Sequence, residues 1–481
     1  MLQKAFKDST EKHQAMQSAY WLDGSLRYAD IPALRLVSKP LLETIYRASA
    51  LQRRHTALHL PQLEILLLAL LRASSTPFKT LAVPLGRDYY KGISDLSYRV
   101  LVEFLLPYFQ QANLLEKHVG FFEGLAGRVT RFRLCTPMLN WLARSSLSPH
   151  LVVMQRPQKL VQIKPPKGQK ALPIEAFLST REQSQLRIIE QEVAFYNDHL
   201  QRAFIDLCVS AEEEREINRR MAEKARHSDD DMPSGLWLEK KYSRRVFNNH
   251  SLRHGGRFYG SWWQTLPREW RDRILIDEEI TTEIDFSQMH FRLLYAKEDK
   301  LTAACPKDLY AIEDMDPSYR DSNKLLLLAA LNARSRQSLT ALLAKKVRQA
   351  KDPWYPNGFP RGFATPSSLI DYLLSQHPKL KSYFYSGIGL RLQNIDSNIM
   401  HRVVMRMLKE HEALCLSIHD SLITKEKYSP VAQRILAEEY KKAVSIIPIL
   451  KQKPTMSCDK KGLVKNNFYF QSRKKAFELQ S

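Results

Sequence analysis

Residues 281–288, Thr-Thr-Glu-Ile-Asp-Phe-Ser-Gln, mix β-branched and aromatic side chains in partial alternation, and the run 289–296 that follows reads as a helix. The first pattern has the period of a strand, the second that of a helix. A chain with this stretch is expected to build a sheet in which a strand ends near Asp285, holding an acidic side chain at the strand-to-helix switch. Residues 412–427 show a matching feature: an apolar run 414–418, then His419-Asp420, then Ser421-Leu422-Ile423-Thr424. That pattern predicts a hairpin with a carboxylate at its tight turn.

Either aspartate alone reads most simply as a turn residue. Two of them on neighbouring strand ends can bind two divalent ions close together, an arrangement that activates a 3′-hydroxyl and stabilises a leaving pyrophosphate. Magnesium, or manganese in its place, suits such a site because it takes few carboxylates and several phosphate oxygens. A third feature lies in residues 319–335, where Arg320, Lys324, Leu328 and Asn332 recur every four residues. That spacing sets them along one helical face. An Arg fork and a Lys point charge one turn apart can clamp a triphosphate; the plain alternative is a solvated basic edge on a buried helix.

Charge points the same way. The chain has 481 residues, with 73 Lys plus Arg against 51 Asp plus Glu, for a formal charge of +22. Such an excess favours a polyanionic partner, nucleic acid before membrane. The hydrophobic share of 44% and charged share of 26% are those of a globular chain. Five scattered cysteines with no CxxC pair argue against a zinc site or a disulfide framework and fit a reducing compartment. No run of 18 apolar residues and no signal-peptide core is evident, so a cytoplasmic protein without a membrane span is expected.

The length predicts more than one domain. Residues 1–59 read as a partly helical N-terminal segment. Residues 60–146 give helix (60–74), helix (93–118), two short strand-like runs (118–135) and a further helix, the order of a winged helix that would set a helix in a groove and a hairpin on the backbone. The Lys-, Pro- and Gln-rich stretch 147–173 reads as a linker, and 174–235 as long helices. Residues 240–264 interleave Lys, Arg, aromatics and glycines, so Arg257 is expected at a nucleic-acid groove and Trp262 and Trp263 in packing. Residues 344–351 read as a solvated basic face.

Taken together, these motifs resemble the family-A DNA polymerases, with kinship to the single-subunit phage and mitochondrial RNA polymerases. The family's first motif, Asp-Tyr-Ser-Gln-Ile-Glu-Leu-Arg, is matched by Asp285-Phe286-Ser287-Gln288-Met289-His290-Phe291-Arg292. Its second, a helix with Arg, Lys, an aromatic and a Tyr at four-residue steps, is matched by Arg320, Lys324, Leu328 and Asn332. Its third, His-Asp-Glu, is matched by His419-Asp420-Ser421, and a Gln-containing helix by residues 391–404 with Gln393 and Asn398. The resemblance covers roughly residues 240–430.

It implies an α+β right hand: a palm with an antiparallel sheet (236–299 and 391–481, the latter with the C-terminal tail), helical fingers (300–390) and a thumb-like region (174–235), preceded by the helical, winged-helix-like N-terminal domain. Asp285, Asp420 and the backbone carbonyl of Phe286 would hold two Mg2+ or Mn2+ ions. Arg320, Lys324, Leu328, Asn332 and His290 would meet the nucleoside triphosphate, with Lys324 also giving a proton to pyrophosphate. Arg257, Arg292, Gln393 and His419 would touch a DNA primer-template or single-stranded DNA or RNA.

The departures are informative. His290 stands where the family has a Glu that excludes the ribose 2′-hydroxyl, Leu328 where an aromatic packs on the base, and Ser421 where a last carboxylate sits. No second carboxylate set for a proofreading exonuclease is evident. A primase-like, RNA-synthesising or template-independent enzyme, and a DNA-binding replication or regulatory factor with an inactive palm, are the alternatives.

Overall fold

Two clusters of apolar residues far apart in the sequence seed two cores, one around the helix 56–74 and one around the strands flanking Asp285. The structure, a computed structural model, describes residues 19–49, 54–76, 78–90, 95–123, 126–154, 159–170, 172–226, 235–298, 308–313, 315–348, 354–453 and 468–479.

The first core holds β1 (Tyr20–Trp21), α1 (Ile31–Ala48), α2 (Thr56–Ser74), β2 (Thr80–Ala82), β3 (Leu115–His118) and β4 (Arg131–Leu134). The helix α2 is apolar on nearly every side and lies in the middle of this core, with Leu63, Leu66, Leu67, Ala69 and Leu70 fully buried. By length and composition α2 is apolar enough to cross a bilayer, yet most of it is buried inside the fold. The four strands run in the order β1-β2-β4-β3.

Three sequence expectations are corrected in this half. The helix expected over 93–118 ends early: Asn113 is left-handed (φ 54°) and β3 begins at Leu115. The boundary at residue 59 cuts through α2, and β1, α1 and the strand Leu26–Tyr28 share the core assigned to 60–146. The expected linker 147–173 is woven into both halves. Its strand Val152–Met154 pairs antiparallel with Leu26–Tyr28, and β5 (Val161–Ile163) pairs parallel with a strand of the second half. Short Val and Ile edge strands were masked by the Lys and Pro around them.

The second half begins with α3 (Thr180–Arg202), whose start is set by a capping box between Ser179 and Glu182. The region 174–235 is not helical throughout. After α3 the chain forms β6 (Ile205–Leu207), which joins the main sheet, and then the helix Ala211–Arg226. The face of α3 is tied down by polar contacts as well as apolar ones. Tyr196 Oη donates to the Cys415 carbonyl at 2.6 Å, and the Asn197 amide closes a pair with the Ser243 backbone at 2.7 and 2.8 Å.

Next come the hairpin β7 (Arg244–Asn248) and β8 (Ser251–Tyr259), then β9 (Ile274–Ile276) and β10 (Glu279–Phe286). The helices α4 (Met289–Lys297), α5 (Arg320–Asn332) and α6 (Gly389–His411) precede β11 (Cys415–Ile418) and β12 (Ser421–Lys425). The chain then gives α7 (Ser429–Val444), β13 (Leu450–Gln452) and α8 (Phe468–Glu478). The main sheet runs β6-β9-β10-β12-β11, with β13 also paired to β10, and every one of these pairings is antiparallel. The result is a mixed α/β architecture of several sheets and many helices.

Glycine at 256 is required. Its φ is +92°, and a Cβ there would lie 2.6 Å from the Phe247 ring and 3.0 Å from Ser397 Oγ. The β7–β8 hairpin therefore bulges at this point and α6 packs directly on its backbone.

The C-terminal α8 closes onto β6 through Arg473, whose side chain is 9% exposed and donates to Asp206 at 2.8 and 3.0 Å. It also reaches Glu214 at 3.3 Å. Removing one partner of a buried ion pair leaves an uncompensated charge, so Arg473→Ala is expected to cost about 3 kcal/mol, read as a lower urea midpoint. An unchanged midpoint would mean that α8 does not hold the sheet.

Candidate active site

Alternation along β10 sends Ile284 and Phe286 into the core, where they are 1% and 3% exposed, and sends Glu283 and Asp285 to the opposite face. Asp285 lies opposite Ser421 of β12 on one side and opposite Lys451 of β13 on the other. The turn between β11 and β12 is made by His419, in the left-handed region at φ 54°, and Asp420. The Phe286 N–H donates to the Asp420 carbonyl at 3.3 Å, tying the strand end to that turn. The two carboxylates expected to act as a pair are thus on adjacent strand ends.

Their proximity has an electrostatic signature. Burial first, and then the charge of Asp420, push the Asp285 carboxyl up from 3.8 to about 6; Glu283 adds to this, while Lys453 and Lys324 oppose it. Lys324 is exposed on α5, and its charge is felt at the carboxylate.

Three residues not singled out in the sequence complete this face. Glu283 accepts from Ser421 Oγ at 2.8 Å and pairs with Lys453 Nζ at 2.5 Å, with Arg271 Nη1 at 3.7 Å. Glu283 was readable in principle, two residues before Asp285 in an alternating strand. Lys453 and Arg271 come from distant segments and carried no local signal.

The donor chemistry fits a hard divalent cation. Two carboxylates converge on one face, and the Oε2 of Glu283 is buried there without a hydrogen-bond partner. Among the described residues no three His, Cys, Asp or Glu side chains already converge as a metal-ligating group. A cation here would therefore keep most of its ligands as water or substrate oxygen, as magnesium does. Phe286, expected to lend its carbonyl, is buried with its ring against Tyr440, centroids 5.4 Å apart.

No protein-family model matches the sequence, and no curated protein matches it. Among solved structures, a similar one is the POL domain of Pol1 from M. smegmatis in complex with DNA primer-template and dNTP, with a TM-score of 0.29 and 10% identity, covering 91% of this chain and 68% of that one. A likeness of that size decides neither fold nor chemistry, which leaves the residues of the site to speak for themselves.

On α5 the four-residue series shares one face but not one state. Arg320 is held by Asp308 at 2.5 Å and Asp321 at 2.9 Å, and its guanidinium lies over the Tyr310 ring. Leu328 is half-buried against the core. Asn332 is exposed, donates to the Leu328 carbonyl at 3.2 Å, and abuts the first residue of α6: a Cβ on Gly389 would meet its Oδ1 at 2.0 Å.

His290 and Arg257, expected at the sugar and at the nucleic acid, converge on Asp396 of α6, which is fully buried. Arg257 forks onto both carboxylate oxygens, and His290 Nε2–H donates to Oδ2 at 2.8 Å. The Arg257 guanidinium is therefore engaged inside the fold. Asp396 lies in the Gln-containing helix, but no local pattern in the sequence sets it apart. Next to it, Arg245 is buried, donating to the Gly256 carbonyl and to Asn398 Oδ1, and burial lowers its basicity to about 9.

Of the other nucleic-acid candidates, Gln393 is half-buried on α6, and His419 packs edge-on to Tyr259 with its basicity lowered by burial. Arg292 is 7% exposed on α4, which is buried on nearly every side. Trp262 and Trp263 are buried in the core. The basic run 344–351 is described as far as residue 348; the rest lies outside the described residues.

Proposed function

We propose that this chain is a metal-dependent nucleic-acid polymerase that adds nucleotides to a 3′-hydroxyl, DNA-templated, with the main antiparallel sheet as palm, residues 300–390 as fingers and α3 in the thumb position. The observation that carries it is the pairing of β10 with β12, which sets Asp285 and the Asp420 turn side by side with Lys324 in their field. Bound there, two magnesium or manganese ions would supply activation of the hydroxyl and charge neutralisation at the departing pyrophosphate.

The chain's own groups have distinct tasks. Asp285 and Asp420 hold the ions. Lys324 offers a point charge to the triphosphate, and Arg320 must exchange Asp308 for phosphate to join it. His290, its ring held by Asp396, presents a fixed bulk beside the sugar. In the N-terminal half, the order α2, β2, the short helix Arg87–Tyr90, a helical run over 98–111, then β3 and β4 supports a winged-helix reading, and the chain's +22 charge supports attachment to nucleic acid.

The test is extension of a labelled primer-template with magnesium or manganese, given dNTPs and NTPs separately. Extension with either sugar is expected. No extension with either, and no chain started without a primer, would overturn the proposal. Lys324→Ala is expected to lower nucleotide kcat/KM by roughly 10- to 100-fold, the loss of one charge-assisted contact of about 1.5–3 kcal/mol; unchanged kinetics would take Lys324 out of the site. His290→Gly is expected to raise NTP use relative to dNTP use.

A further inference from the structure

We propose that Glu283 is the third acidic group of this site, a positioning residue whose Oε2 accepts a hydrogen bond from a water of a divalent cation held by Asp285 and Asp420. The inference rests on the polymerase reading only in needing a cation at that pair.

The Glu283 side chain is 5% exposed. Strand alternation sets it on the face of Asp285. Its two oxygens are in unlike states. Oε1 accepts from Ser421 Oγ at 2.8 Å and from Lys453 Nζ at 2.5 Å. Oε2 is buried with no hydrogen-bond partner among the described residues.

A buried carboxylate oxygen without a partner is a costly arrangement, and each such atom in a native fold calls for a reason. A carboxylate oxygen only accepts, so what meets it must bring a proton or a positive charge. Among the described residues no three His, Cys, Asp or Glu side chains form a metal-ligating group, so Glu283 is assigned as an outer partner and not as a direct ligand beside both aspartates. A hydrated magnesium or manganese ion fits, because it keeps several waters and each is a strong donor. Ser421 Oγ, bonded to Glu283 and next in sequence to Asp420, couples the glutamate to the turn that carries the second carboxylate. Lys453 and Arg271 offset the charge of Glu283 through Oε1 and make no hydrogen bond to Oε2.

The test uses the full chain and Mn2+ alone, with free Mn2+ followed by electron paramagnetic resonance. Glu283→Gln keeps the shape and is expected to raise the Mn2+ Kd by about tenfold, the usual scale for an outer-sphere partner. Glu283→Asp, which retains the charge but withdraws the oxygen, is expected to give a smaller rise; it decides the matter if Glu283→Gln does not fold. A wild-type Kd in a folded Glu283→Gln, or in Glu283→Asp in its place, would overturn the proposal. The double variant Glu283→Gln/Lys453→Met is expected to keep the weakened affinity; return to the wild-type Kd would show that Glu283 serves only to neutralise Lys453, and would also overturn it. Asp285→Asn separates the two levels. If it abolishes Mn2+ binding while Glu283→Gln leaves it unchanged, Glu283 alone is removed. If Asp285→Asn binds Mn2+ as well as wild type, the cation site itself fails and the proposal with it.

Discussion

Asp285→Asn and Asp420→Asn are each expected to lower primer extension by about 1,000-fold or more, while Asp285→Asn makes the cation-free protein more stable at neutral pH. Both effects follow from one geometry. Two carboxylates on adjacent strand ends repel each other, and burial adds to the cost of ionising them. An ion there relieves both penalties, so replacing either charge removes the reason for the ion to bind; 1,000-fold corresponds to about 4 kcal/mol of transition-state stabilisation.

The stability effect has a definite sign and pH window. The Asp285 carboxyl is raised from 3.8 to about 6. A raised acid favours the folded state fully below its unfolded value, and that contribution is lost as pH climbs through the folded value. The cation-free protein should therefore lose up to about 3 kcal/mol between pH 4 and pH 6 from this group. In Asp285→Asn that slope disappears. Urea midpoints measured across this range in the presence of a chelator test it, and an identical pH slope in wild type and variant would contradict the burial and pairing of Asp285. Magnesium should raise the melting temperature of the wild type more at pH 7.5 than at pH 5, since the ion competes with the proton.

Asp396→Ala is expected to destabilise the fold by about 3–5 kcal/mol. Asp396 is fully buried and receives both a fork from Arg257 and the His290 proton, so its removal strands a largely buried cation. Asp396→Asn retains the shape and is expected to cost less. Asp396→Ala frees the His290 ring, so in that variant sugar preference should shift in the direction given by His290→Gly. A denaturation midpoint unmoved in Asp396→Ala would show that Arg257 and His290 find other partners, and that the cluster is not what holds the ring.

Much of the site's raw material was visible in the chain before folding. Asp285 at the end of an alternating strand, Asp420 in a hairpin turn, and Arg320 and Lys324 one turn apart are local features, each contained within a few residues whose spacing follows from the strand or helix period. The β11–β12 hairpin was legible for the same reason, whereas an antiparallel sheet around it was only what the resemblance implied. Harder to see were short edge strands such as Val152–Met154 and Val161–Ile163, where Lys, Pro and Gln dominate the composition and pairing partners lie far away. The strand β6 hid between two helices of a stretch read as helical, since its three residues are too few to show a period.

By itself, then, the sequence determined the types of local element and the acidic and basic groups they present. Only the tertiary structure decided which of those charges remain available. Arg257 is taken by Asp396, 139 residues away, and Arg320 by Asp308. Arg292 is turned inward. Glu283 is joined by Ser421 of β12 and by Lys453, just past β13, yet one of its oxygens is buried without a hydrogen-bond partner. The physical reason is that ion pairing and burial act through space. Their strength depends on distance and on exclusion of water, and strand or helix periodicity reports neither.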